Sequence, residues 1–247
     1  MNKKLDADRT EFTWENLYIK IYSYNDIKDK DNVIIEGWEF WKLFNFRNNK
    51  NGVITLEYND QINIKDEKIK EFAKKYSNFF QLSGDVDFGE GLEKEERRKF
   101  LNFSLMPVKG GMNNKKGKFG YHDRLDMFIY ILSLYYKNKD KKQYAKEYLT
   151  CYKNDKSLSS LCDYLDLFDD IYDYCKKIYL LKNKQFISKL INYGKDTYNI
   201  NCKIESNKID LEEYSKRKKY IREEYWNERK KLMCKVINKE LLTRYID

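Results

Sequence analysis

Apolar residues return every three or four positions along most of the chain, and that spacing predicts helices. From Asp123 onward, Leu125, Phe128, Ile129, Leu132 and Tyr136 recur at such intervals, predicting a helix with one face in a core. Residues 141–152 read as another helix. The strongest amphipathic stretch is 158–181, with Leu161, Leu165, Phe168, Tyr172, Cys175 and Tyr179 on one face and Asp163, Asp166, Asp170 and Asp173 on the other. Residues 186–193 continue helically, and Gly194 is expected to stop that helix. From about 210 to 245 neither Pro nor Gly interrupts the pattern, and Tyr214, Ile221, Tyr225, Leu232 and Val236 form an imperfect apolar stripe.

Nearer the N-terminus the pattern is more mixed. Residues 12–24 fit strand or helix. Trp38, Trp41 and Phe44 or Asn45 fall at helical spacing within 33–46, which favours a buried amphipathic helix over an exposed stacking platform for bases. Asn51-Gly52 marks a turn, and 53–58 is the clearest β signal in the chain. Asp66 is placed to cap a helix running to about Phe80, with Ile69, Phe72, Ala73 and Tyr76 on one face. Neither a fixed-period repeat nor a linker divides the sequence. The expectation is a single, mainly α domain over 1–247 with a small β element near 53–58 and a long basic C-terminal helix at about 210–245.

One stretch departs from this pattern. Residues 84–126 hold seven of the ten glycines, the only proline (Pro107) and the only histidine (His122). Glycine reaches backbone conformations closed to other residues, so an irregular loop is expected over 84–122, apart from a short charged helix at 93–102.

Composition narrows the function classes. With 247 residues the chain can bury a sizeable core, and 16% aromatic residues argue against disorder. The formal net charge is +9, with 36% of residues charged, which admits a polyanion as partner. The abundance of Lys, Asn, Tyr and Ile also fits an AT-rich coding genome, which raises Lys without functional meaning. The five cysteines include no CxxC pair, and a single histidine makes a zinc site an unsuitable reading. No signal peptide or long apolar run is visible. A reduced, cytoplasmic setting is expected, with no membrane, metal or cofactor.

Candidate chemistry gathers in the glycine-rich stretch. Lys109, Lys115, Lys116 and Lys118 alternate with Gly110, Gly111, Gly117 and Gly120, without an acid among them. Backbone N–H groups of such a turn, followed by a helix N-terminus near Asp123, suit a phosphate. The spacing matches neither a Walker loop nor a dinucleotide fingerprint. His122, Asp123, Arg124 and Asp126 form the densest set of functional side chains: an imidazole for proton transfer, a carboxylate to orient it, a guanidinium to grip phosphate. Helix capping alone also accounts for the two aspartates. The run Asn-Phe-Ser-Leu-Met-Pro (102–107) followed by Asn113 is similar to the end of an HNH-type nuclease module. That module needs an upstream His, and none precedes His122, so it is excluded. The acidic stripe of 163–173 reads as a solvated face before a carboxylate metal site. Lys216-Arg-Lys-Lys219 and Arg229-Lys-Lys231, interleaved with Glu223, Glu224 and Glu228, read as a solvated helix first and a nucleic-acid groove second.

Gly-Met-Asn-Asn-Lys-Lys-Gly (111–117), then His-Asp-Arg-Leu-Asp (122–126) and Tyr135-Tyr136, resembles a family of uncharacterised bacterial proteins. Their pattern is an Asn, a basic residue and Gly, then Asp-Arg-x-Asp opening a helix that ends in a Tyr. The stretch 163–181 is similar to a second block of that family, and Trp41 with Asn51-Gly52 to a first. The resemblance implies no activity. It raises Asn113, Gly117, Asp123, Arg124 and Asp126 above their neighbours and leaves His122 outside the pattern. A buried Asp–Arg–Asp network fixing loop to helix would be sufficient reason for the motif.

The leading expectation is a binding protein that engages nucleic acid or a nucleoprotein partner, in the manner of a phage- or defence-related inhibitor or accessory factor. Its contacts would be Lys109, Asn113, Asn114, Lys115, Lys116, Gly117, Lys118, Arg124, Lys218, Lys219 and Arg222. The alternative is an enzyme acting on a nucleotide or phosphodiester, with His122, Asp123 and Asp126 as catalytic candidates. A third is an interaction subunit using the Trp38/Trp41 face.

Overall fold

A computed structural model of the chain describes residues 27–28, 34–35, 44–48, 54–61, 67–77, 79–84, 103–107, 112, 125–150, 154–202 and 211–236. The described protein is mainly α. Its helices are α1 (Glu67–Lys75), α2 (Leu125–Lys137), α3 (Lys141–Tyr144), α4 (Asp155–Leu165), α5 (Ile171–Lys177), α6 (Lys184–Cys202) and α7 (Leu211–Val236), with α3 continuing into a π-helical turn at Ala145–Leu149.

Strands β1 (Ile27–Lys28) and β2 (Ile34–Ile35) form a short antiparallel ribbon. Strands β3 (Phe44–Asn48), β4 (Ile54–Tyr58), β5 (Phe80–Gly84) and β6 (Phe103–Pro107) form an antiparallel sheet in that order. The expected strand at 53–58 is β4, and it has more company than its sequence announced. Phe44 and Asn45, expected at helical spacing, lie in β3, where Phe44 faces Tyr58 and Asn48 faces Ile54 across the hairpin. Phe80, expected near the end of a helix, opens β5 instead. The chain leaves α1 at Lys75, and the amides of Ser77 and Phe79 bond back to Lys74 and Tyr76. Residues 103–107, expected as loop, form edge strand β6, paired from Phe80 opposite Pro107 to Gly84 opposite Phe103. Pro107 cannot donate to a ladder, so it is suited to this edge position.

Helix α2 is the hub. The sequence predicted one buried face, yet Leu125, Met127, Phe128, Ile129, Ile131, Leu132 and Tyr135 are all buried, so the helix is covered nearly all round. Helix α6 lies along it, with α5 and the π turn also against it. Gly194 does not end α6, which runs on to Cys202. Its role is steric. A Cβ there would land on the carbonyl oxygen of Asp126, 2.5 Å from its carbon and 2.7 Å from Tyr130 Cβ, so the missing side chain lets the two helices touch.

The amphipathic stretch 158–181 is two helices rather than one. Helix α4 ends at Leu165, and α5 restarts at Ile171 with Asp170 as its N-cap, the carboxylate accepting from the Asp173 amide at 2.8 Å. After α5 the buried Leu180 takes φ 59°, and its neighbour's amide, that of Leu181, bonds back to the Cys175 carbonyl at 3.0 Å. Of residues 141–152, expected as one helix, 141–144 form α3 and 145–149 widen into the π turn, closed by the Thr150 amide on the Ala145 carbonyl, with Thr150 itself extended.

Aromatic rings join sheet to helices. The ring of Tyr164 on α4 contacts Tyr76, Phe79, Phe80, Phe168 and Tyr174 at centroid distances of 5.3–6.3 Å. Met112 from the glycine-rich stretch is fully buried in the same core. Helix α7 docks through Ile221, Tyr225 and Leu232. Among the described residues no helix is long and apolar enough to cross a membrane. Of the helix expected over 33–46, Ile34 and Ile35 instead lie in β2 and 44–46 in β3, and the rest lies outside the described residues, as do the expected helix at 93–102 and the C-terminal part of the expected 210–245 helix.

Candidate nucleic-acid interface

Of the candidate catalytic and binding residues, the structure describes Asp126, Lys218, Lys219 and Arg222. Lys109, Asn113, Asn114, Lys115, Lys116, Gly117, Lys118, His122, Asp123 and Arg124 lie outside the described residues, as do Trp38 and Trp41. Asp126 sits in the first turn of α2 and is 8% exposed. An acid there interacts favourably with the positive end of the helix dipole, and the Asp126 carbonyl is the point where α6 crosses.

The two stretches likened to the same family meet in space. At the end of α2, the Tyr135 hydroxyl donates to Asp166 Oδ1 at 3.3 Å and Tyr136 donates to the Leu165 carbonyl at 3.1 Å. Lys141 Nζ binds the same Asp166 oxygen at 2.7 Å and lies 5.4 Å from the Tyr135 ring centroid. Burial raises the Tyr135 phenol well above its ordinary value, as does the nearby Asp166 charge. Tyr135 is therefore a neutral donor that ties α2 to α4.

The acidic stripe has equally local occupations. Asp163 pairs with Lys75 at 2.8 Å, Asp166 with Lys141, Asp170 caps α5, and Asp173 pairs with Lys177 at 2.8 Å. Among the described residues no group of three or more His, Cys, Asp or Glu is placed to hold a metal ion. Cys175 is buried, and burial pushes its thiol well above the ordinary range; the half-buried Cys162 is raised for the same reason.

Helix α7 sorts its charges by row. Side chains four residues apart stack along a helix, and Arg217, Ile221, Tyr225 and Arg229 form the row that faces inward, with Ile221, Tyr225 and Arg229 buried. Arg229, expected to decorate the surface, is a correction: it is 0% exposed, donates to the Tyr179 carbonyl at 2.9 Å and lies 5.1 Å over the Tyr225 ring. A guanidinium satisfies a carbonyl and an aromatic face at once, so it serves here as a core residue. The acids Glu224 and Glu228 share a row with Lys216 and Tyr220, on the flank where Arg217 pairs with Asp196 of α6 at 3.2 Å and Lys189 reaches the Tyr220 hydroxyl at 3.3 Å. Lys218, Arg222, Trp226 and Lys230 form a row without an acid. Along it the Arg222 guanidinium lies 5.8 Å from the Trp226 ring centroid, both side chains are half-buried, and Lys230 is exposed. Lys219 and, four residues on, Glu223 stand beside this row, both exposed. Trp226 escaped the sequence reading; its four-residue spacing from Arg222 was the available signal.

The fold and this helix surface define a mainly α protein that presents a basic–aromatic helix row. Beyond that class, comparison adds nothing: no family model, no curated protein and no solved structure matches the chain.

Proposed function

We propose that this chain binds nucleic acid, alone or within a nucleoprotein partner, using the Lys218–Arg222–Trp226–Lys230 row of α7 with Lys219 beside it. Lys109, Asn113, Asn114, Lys115, Lys116, Gly117, Lys118 and Arg124 would add a second basic contact, in a reducing, cytoplasmic setting. The observation that supports it is the sorting on α7: Lys218, Arg222, Trp226 and Lys230 share one row, Glu224 and Glu228 stand on another, and Glu223, beside Lys219, is the one acid on the cationic flank between 218 and 230. Lysine and arginine neutralise phosphates, and the exposed part of an indole beside a guanidinium offers a sequence-tolerant surface to a base. An inhibitor or accessory factor of a nucleic-acid enzyme fits such a surface.

The test is binding of the purified protein to labelled single-stranded and duplex DNA and RNA across a salt series. The comparison is a Lys218→Gln, Arg222→Gln, Lys230→Gln variant whose melting temperature matches wild type. Affinity should fall steeply with salt, and the variant should bind at least about tenfold more weakly. Its log–log slope should be flatter by roughly 0.9 for each phosphate it no longer neutralises. Absence of binding at low salt would end the reading. Wild-type affinity in the variant would remove α7 from the interface.

A further inference from the structure

A groove of about 450 Å³ opens between the last turns of α2 and the α3–π segment. Ile131 and Leu134 line it from α2, and Tyr144 and Tyr148 from the other side, their rings 4.8 Å apart and tilted by 32°. Its polar lining is Asn138, Asp140, Gln143 and Glu147. The volume is that of a small-ligand site.

The lining is held in place by bonds within this segment. The Tyr144 hydroxyl donates to the Ile131 carbonyl at 2.9 Å, Asp140 accepts from the Gln143 amide at 2.9 Å, and Gln143 Nε2 donates to Glu147 Oε1 at 2.6 Å. The π turn also sets Glu147 and Tyr148 on this side of the segment, and such turns recur at functional sites. Little ordering remains to be done when a ligand enters.

The chemistry of the groove is that of a cation site. It combines two carboxylates, two tyrosine faces and the C-terminal end of α2, where backbone carbonyls carry partial negative charge. Lys137, Lys139, Lys141, Lys142 and Lys146 surround it in sequence, yet none lines it. Those lysines oppose a bare metal ion at a distance. A cation that gains entry must draw on the apolar wall as well, so its charge sits on a hydrocarbon stem.

From this we infer that the groove beside the π turn binds an organic cation, a guanidinium or alkylammonium whose stem lies against Ile131, Leu134, Tyr144 and Tyr148 while its head meets Asp140 and Glu147. The site is separate from the α7 row and stands or falls independently of nucleic-acid binding.

The experiment is an amide chemical-shift titration of the full chain with N-acetylarginine amide, its neutral citrulline counterpart and spermidine. Glu147→Gln and Tyr148→Leu are the variants, since Glu147 is exposed and Tyr148 only half-buried; Asp140 is left alone because it caps α3. A saturable response of residues 143–149 to a cation, absent with citrulline and at least fivefold weaker in both variants, is the expected result. Tighter binding of the arginine amide would make the natural ligand a protein side chain, and tighter spermidine a free polyamine. No saturable response to either cation, an equal response to citrulline, or full affinity in Glu147→Gln would overturn the proposal.

Discussion

Gly194 shows how a single missing side chain shapes the molecule. Alanine is worth about 1 kcal/mol more than glycine in a helix interior, so intrinsic propensity favours Gly194→Ala. The added Cβ, however, would meet the Asp126 carbonyl and Tyr130 Cβ, and neither is the loose end of a flexible chain. Overpacking of this kind costs about 1–3 kcal/mol or more, and with main-chain atoms involved the steric term should win. Gly194→Ala is expected to lower the melting temperature by several degrees, whereas alanine at exposed Lys195 on the same helix should leave it nearly unchanged. A Gly194→Ala protein as stable as wild type would mean that α2 and α6 can part at no cost. Sequence alone read this glycine as a stop signal because the local cue is the same for both roles; only the crossing partner distinguishes them. Arg229 misled for a similar reason, since a basic run looks solvated until a carbonyl and a ring from other elements are placed around one member.

At the level of elements, spacing carried most of the information and local bonds decided the ends. Helix α5 depends on its cap. Asp170 is extended, with ψ −176°, and its carboxylate supplies the bond to the Asp173 amide. Asp170→Ala should cost about 1 kcal/mol and Asp170→Ser much less, measurable by denaturant or thermal unfolding; equal stability of all three proteins would show that the α4–α5 break is set by packing alone. The break was invisible in the periodicity because Leu165, Phe168 and Ile171 keep helical spacing across it. The same limit hid β3, β5 and β6. Short strands that are buried or pair at an edge give few alternating positions, and their partners are far away in sequence, whereas α2, α6 and α7 announce themselves over many turns. The candidate interface was legible as charge, through Lys218, Lys219 and Arg222, but its division into an acid-free row was not, because that required knowing which row of α7 is buried.

For the molecule as a whole, the core is unusually phenolic, and this ties its stability to pH. Burial raises the phenols of Tyr76, Tyr135, Tyr136 and Tyr174 above their ordinary value, with Asp163 adding to the effect at Tyr76 and Asp166 at Tyr135 and Tyr136. In the unfolded chain these groups ionise near pH 10. Above that pH the unfolded state binds fewer protons than the folded one, so the slope of unfolding free energy against pH is negative. The contribution is therefore complete below about pH 10 and declines as pH rises toward the folded values, by about 1.4 kcal/mol per pH unit for each phenol still protonated in the fold. A reserve of 5–15 kcal/mol, the ordinary range for a folded protein, would be consumed within a few pH units. The chain carries 22 tyrosines, so exposed ones should titrate first and gradually. The buried set should then ionise in a single steep step that coincides with loss of the helical circular dichroism signal. Tyrosinate absorbance and circular dichroism followed together through alkaline pH provide the measurement. If all tyrosines titrated in one gradual phase while the helical signal persisted, the phenols would be reachable by solvent in the folded state, and the aromatic core that joins α1 and β5 to α4 and α5 would be far looser than its packing implies.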